Sequence, residues 1–248
     1  MASYLETAVD IAREAGSLLS HYYERRVAFE LKGDFDLVTE ADAKIKAIET
    51  ILASEATYAE MKKDRRLGTE TSTLSVLAQA IAEHDEASAW KATAPDVRDA
   101  ARKVVMAANY EDAKKEFAVL KAAHEGKGSG AKLDAEWNKL GRLGRIMAEV
   151  TKRQNKLRRT IKKLPEDTSE AARDASVMAT LGLAIHTDTH EVKNAADKPE
   201  WYKMALEFQA SSTELSKALK AKDGAAAKTA FGKVGKSCAD CHAKFKEH

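Results

Sequence analysis

The sequence predicts an all-α protein: a C-terminal antiparallel four-helix bundle, preceded by a helical partial repeat and a helical N-terminal segment with at most one short strand. Three observations predict it. Only three prolines and 12 glycines interrupt 248 residues, and these are the two residue types that most oppose a helix. Apolar residues recur at alternating spacings of three and four, the period of a helix that buries one face. Hydrophobic residues make up 44% of the chain and charged residues 32%, which suits a folded core and argues against disorder. The formal charge is +2, from 41 Lys+Arg against 39 Asp+Glu. The overall electrostatic signature of a nucleic-acid binder is therefore missing. No apolar run reaches the roughly 18 residues that a membrane helix needs. Neither nucleic acid nor a transmembrane segment is expected.

Residues 1–68 form the first expected segment. Leu5, Val9, Ala12, Ala15 or Gly16, and Leu19 place a helix within residues 3–26. Phe35 to Thr39 is the one short β-like run, and another helix begins near Ala41. The stretch Lys32-Gly-Asp-Phe-Asp-Leu-Val-Thr-Glu-Ala-Asp42 resembles the opening of inositol monophosphatase-like phosphatases, over residues 1–55. That resemblance implies Lys32 and Asp42 near a magnesium site. The family's Gly-Glu-Glu and Asp-x-x-Asp-Gly-Thr motifs are absent downstream. Without those carboxylates a multi-metal phosphoryl site does not assemble. No enzyme activity is expected, and a remnant of a magnesium-dependent sugar phosphatase is the weakest alternative.

Residues 69–130 look like a degenerate copy of part of residues 131–248. Leu77-Ala-Gln-Ala-Ile-Ala-Glu-His84 echoes Leu181-Gly-Leu-Ala-Ile-His186, and Pro95 opens a helix as Pro199 does. Ala113, Lys114, Phe117 and Leu120 match Ala227, Lys228, Phe231 and Val234 at one constant offset. Lys127-Gly-Ser-Gly130 is the most linker-like stretch. Generic similarity between Ala/Lys-rich helices is the alternative to a repeat.

Residues 131–248 carry four helical patterns. Leu140, Leu143, Met147, Val150, Gln154, Leu157, Ile161 and Leu164 hold a 3-4 repeat, with Gln154 as its one polar member. Pro165 ends that helix. Asp167 and Glu170 suggest a capping box for the next, which carries Val177, Met178, Leu181, Ile185 and Val192. Pro199 suits the first turn of a third helix, with Trp201, Ala205, Phe208, Leu215 and Leu219 on one face. Asp223-Gly224 precedes the fourth, whose stripe is Phe231, Val234, Cys238, Cys241 and Phe245. Four helices with short connections make an antiparallel bundle.

The two cysteines are the whole cysteine content, and they fall in Cys238-Ala-Asp-Cys-His242. Two random positions in this chain lie three apart roughly 0.8% of the time, and a following histidine makes the pattern rarer still. The spacing reads as c-type haem attachment. On a helix, i and i+3 share a face, so two thiols reach one edge of a flat macrocycle and the adjacent histidine meets its iron. Other uses of the pair are a redox dithiol, a zinc site completed by His248, and a disulfide across one helical turn. Gly232 and Gly235 would allow a flat cofactor to approach, or are simply tolerated. In an up-down bundle the start of the first helix faces the end of the last, which brings Leu143 and Met147 towards the motif. Met147 is the candidate sixth ligand to iron; a core methionine is its plainer reading. In the degenerate copy His124, Lys127 and Gly128 stand where Cys238, Cys241 and His242 do, so that copy is haem-free. His84, His186 and His190 read as surface or partly buried, although His186 and His190 could share a metal on one helical face.

Over roughly residues 134–248 the chain resembles the class II c-type cytochromes, the cytochrome c prime and cytochrome c-556 group. The resemblance rests on four helices, the terminal motif and the basic residues Lys236, Lys244 and Lys246. It implies one covalent haem c on Cys238 and Cys241, with His242 as axial ligand and Met147 at about the position that supplies a methionine or an apolar lid. Members often carry an arginine four residues before it; here that position is Leu143, between Arg142 and Arg145. The resemblance also implies electron transfer or small-gas binding, with redox proteins or gases as partners and a homodimer through bundle helices. A haem-free helical interaction module is the main alternative. Haem attachment implies a periplasmic or other extracytoplasmic location. The start Met-Ala-Ser-Tyr-Leu-Glu-Thr-Ala-Val-Asp shows acids early and no apolar core of export-signal length.

Overall fold

The computed structural model describes residues 36–84, 88 and 90–246. These residues are all-helical, with nine α-helices and no strand among them. The expected helix within residues 3–26, Lys32, Phe35 and His248 lie outside the described residues.

Helix α1 (Asp36–Ile51) starts the described chain. Residues 36–39 are helical rather than the extended run that Val38 and Thr39 suggest. Burial overrides the β preference of those side chains: Ala41, Ile45 and Ile48 repeat at helical spacing and are all buried. Helix α2 (Glu55–Lys63) is capped by Ser54, whose Oγ accepts the Thr57 N–H at 3.1 Å. Helix α3 (Arg66–Glu83) is buried along most of its length, with Leu67, Leu74, Leu77 and Ile81 beside Thr71, Ser75 and Gln79. A helix apolar or neutralised all round belongs at the centre of its layers. Its hydroxyls turn onto backbone carbonyls, Thr71 to Leu67 at 2.9 Å and Ser75 to Arg98 at 3.2 Å.

Helices α4 (Ala94–Met106) and α5 (Tyr110–His124) complete a first group with α1 and α3. Pro95 sits in the first turn of α4, and Asn109 caps α5 by accepting the Asp112 N–H at 2.9 Å. Residues 127–130 do not hang free. The buried Asp96 carboxylate accepts from Ser129 N–H at 2.9 Å, Ser129 Oγ at 2.6 Å and Ala131 N–H at 3.3 Å. Burial raises the Asp96 carboxyl, but these donors outweigh it and hold it below its ordinary value.

The second group is α6 (Leu143–Lys162), α7 (Ser169–Thr187), α8 (Lys198–Lys220) and α9 (Gly224–Phe245), packed as a four-helix bundle. The Asp167–Glu170 capping box does not form. Asp167 accepts the Ser169 N–H at 2.9 Å, whereas Glu170 pairs with Lys156 at 2.6 Å. Helix α7 ends at Thr187, so Val192 is buried from a turn rather than from the helix. Helix α7 is the second centrally buried helix and meets α1 and α3 as well as its bundle partners.

A polar cluster joins the two groups. Lys44 of α1 donates to Glu70 of α3 and Glu149 of α6, both at 2.7 Å. Arg153 of α6 donates to Glu149 at 2.9 Å, to Asp174 of α7 at 2.7 Å, and to Glu40 of α1. Lys152 and Lys156 add charge from the rim. Helix α6 thus buries Ile146, Glu149 and Arg153 on a face outside the expected 3-4 stripe.

Candidate functional site

Helix α9 places the cysteine motif. Asp223 starts it by accepting the N–H groups of Ala225 and Ala226 at 3.0 and 2.9 Å. Ala227, Ala230 and Val234 bury one face against the bundle. The far end is pinned to the start of α8: Phe245 meets Trp201 edge-on at 5.2 Å, and Lys244 pairs with Asp197 at 3.2 Å and with Glu200. Trp201 is itself fixed by a 3.0 Å bond from Nε1 to the Ile185 carbonyl.

Along α9 the packing is lopsided. The helix lies closely on α8 but touches α6 at few points. Between them opens a cleft of about 280 Å³. Cys238, Cys241 and His242 line it from α9, Met147, Val150 and Gln154 from α6, and Met204, Ala205 and Phe208 from α8. Both cysteines are free and half-buried, and His242 is exposed at the edge. Gln154, the polar exception on its stripe, aims its amide at Cys238 Sγ, 4.0 Å away. Gly235 also lines the cleft, with open space where a Cβ would stand, whereas Gly232 is exposed and lies outside the lining.

Burial raises the Cys238 thiol. Burial, together with neighbouring Cys238, pushes Cys241 up to about 11. Both therefore stay protonated near neutral pH. Dithiol oxidoreductases need the reverse, a depressed thiol in an electropositive setting. Burial and nearby Lys246 lower His242, which keeps its imidazole neutral with a lone pair free. Among the described residues, no three His, Cys, Asp or Glu side chains converge to hold a metal ion by themselves.

The cleft fits a haem in its donor set: two thiols one turn apart, a neighbouring neutral imidazole, and a wall of Val150, Ile185, Ala205 and Phe208. Met147 is half-buried on the opposite wall, as bundle order suggests. Leu143 is buried but does not line the cleft. Arg142 and Arg145 lie on a different cavity, between α3, α4 and α6. Met204, which lines the cleft from α8, is not among the residues that the motif and bundle order single out. Its signal is nevertheless in the sequence: it comes three residues after Trp201, beside the buried Ala205 and Phe208.

The other described histidines do not line the cleft. His124 bonds Asp42 at 2.8 Å and meets Trp90 edge-on. His186 packs on Tyr202 at 4.9 Å, and His190, past the end of α7, pairs with Asp188 at 2.6 Å. His186 and His190 therefore do not share a helical face. In the first group, α5 ends at His124, so Lys127 and Gly128 lie beyond any helix. The scaffold that presents Cys241 and His242 has no equivalent there.

Comparison with curated proteins and with solved structures finds no match to the chain. A family comparison does: residues 145–246 match the family described as Cytochrome C'. Its members are class II c-type cytochromes, generally non-enzymatic haem proteins that bind haem c covalently. The matched span runs from the first turn of α6 to just past the end of α9. Residues 145–246 of this chain are therefore similar to the Cytochrome C' family.

Proposed function

We propose that the chain is a c-type haem protein for electron transfer or small-gas binding, carrying one haem c bound through Cys238 and Cys241 with His242 as axial ligand. One observation carries the reading: two protonated thiols and an imidazole open onto the same apolar-walled cleft between α6, α8 and α9. The haem supplies one-electron exchange, or a site for a small ligand, at its iron. The protein's own part is to tether, ligate and shield. Cys238 and Cys241 provide the tethers, His242 the proximal nitrogen, and Phe208, Ile185 and Val150 exclude water. Met147 stands on the wall across from the motif and is the proposed sixth ligand, with Met204 as a second sulfur nearby. The periplasm, where cytochrome c′ family proteins typically reside, is the proposed location, with redox proteins or gases as partners.

Expression with a periplasmic haem-attachment system tests this. The haem should stay with the protein after acid-acetone extraction, and Cys238→Ala/Cys241→Ala should release it. A colourless protein, or wild type that loses all haem on extraction, refutes the proposal. Met147→Ala should change the ferric and ferrous spectra; unchanged spectra exclude Met147 as ligand.

A further inference from the structure

A second cavity, of about 550 Å³, lies between the starts of α3 and α6 and the end of α4. Six cationic side chains line it: Lys62, Arg65, Arg102, Lys139, Arg142 and Arg145. No carboxylate does, among the described residues. In a chain whose charges nearly cancel, this is a strong local excess.

Most of the excess is uncompensated. Among the described residues, Arg65, Arg102, Arg142 and Arg145 make no ion pair or side-chain hydrogen bond, whereas Lys139 pairs with Glu136 at 2.7 Å and Lys62 donates to Tyr58 Oη and the Ala107 carbonyl. Arg145 is half-buried, its Nε 3.1 Å from where a Cβ on Gly68 would stand. Burial and the like charges of Arg65 and Arg142 pull it below the ordinary arginine value. The backbone adds to the field. Arg65 and Arg142 are the N-cap residues of α3 and α6, and neither helix has a side-chain cap. Two helix N-termini with their partial positive charge therefore open on the same cavity. Arg65, Arg142 and Arg145, close enough for the first two to perturb the third, repel one another unless an anion sits among them.

We propose that this cavity binds a small anion bearing two or more phosphoryl groups. Guanidinium forks match phosphate oxygens in pairs, which a lone ammonium does not. The concave shape and volume suit a small molecule rather than a flat protein surface. Val105 and Met106 at the end of α4 give the cavity an apolar patch that an organic substituent of the anion would cover. The site is separate from the cysteine cleft and does not depend on haem.

Isothermal titration of the full chain with tripolyphosphate tests it, with adenosine triphosphate and adenosine as parallel arms. Saturable binding near one per chain is expected for both phosphorylated probes, and none for adenosine. A tighter triphosphate nucleotide would assign the organic patch; equal affinities would assign free polyphosphate. Arg102→Gln and Arg145→Gln should each weaken binding by about tenfold or more, the loss of one charge-assisted bond, while exposed Lys115→Gln should not. If Arg145→Gln does not fold, Arg102→Gln on α4 carries the same test. Absence of saturable binding, an effect reproduced by sodium chloride at equal ionic strength, or equal affinities in all variants overturns the proposal.

Discussion

Replacing Arg153 with methionine keeps much of its apolar stem and removes the charge at the junction of the two helix groups. The cluster holds five anions, Glu40, Glu70, Glu149, Glu170 and Asp174, against four cations, Lys44, Lys152, Arg153 and Lys156. Without Arg153 the balance is five to three. Glu149 keeps Lys44 at 2.7 Å and Asp174 keeps Lys156 at 2.8 Å, but Glu40 is left with Lys44 at 3.8 Å. The Arg153 and Glu149 side chains are only 5% and 0% exposed, so water does not replace the lost donors. Removing one partner of a buried charge pair costs about 3–5 kcal/mol. In a chain of this size that lowers the melting temperature by about 6–20 °C, at about 2–4 °C per kcal/mol. Urea unfolding followed by circular dichroism measures it, with exposed Lys115→Met as a control expected within about 1 kcal/mol. A loss for Arg153→Met under about 1 kcal/mol would refute a desolvated network. Adding Glu40→Gln should recover part of the loss, because it removes the carboxylate left without a close partner.

The same cluster predicts a pH dependence. Burial raises the Glu149 carboxyl, but the charges of Lys44 and Arg153 outweigh it and hold it below the ordinary 4.5. A depressed folded value means its contribution is complete above the unfolded value and is lost as pH falls through the folded one. Stability should drop below about pH 4.5, and Glu149→Gln should flatten that slope in acid titrations of the unfolding midpoint. Gly141→Ala would put a Cβ 2.5 Å from Ser72 Cβ and should cost about 1–3 kcal/mol; restoration by Ser72→Gly in thermal melts checks the cause. Asp223→Ala should cost about 1 kcal/mol by uncapping α9, with faster amide exchange in its first turn.

The parts of the fold that are legible in the sequence are those whose partners lie on the same helix pattern. Trp201, Ala205, Phe208, Leu215 and Leu219 are all buried on the expected face of α8, and the motif residues meet at one cleft because a single helix sets their spacing. What stays hidden depends on residues far apart. Glu149 and Arg153, four apart and charged, look like a solvated pair until Lys44, Glu40 and Asp174 arrive from two other helices. The basic cavity is hidden for the same reason, since its cations come from three separate stretches, around residues 62–65, at 102 and at 139–145. Residues 36–39 mislead because Val38 and Thr39 carry a local preference that α1's buried face overrides. Residues 127–130 read as a linker from composition, while the tie to Asp96 is invisible without the position of α4.

Helix α6 has two unlike sides. One is clamped by Lys44, Glu40 and Asp174 and packs on α3 and α7, while the side facing α9 is nearly free. The spacing between Met147 and Cys241 is therefore set from behind, by α3, α7 and the charged cluster, rather than by contact across the gap. A group inserted between α6 and α9 meets a wall braced from outside. That bracing makes residues 36–130 a buttress for a cleft to which they contribute no lining side chain.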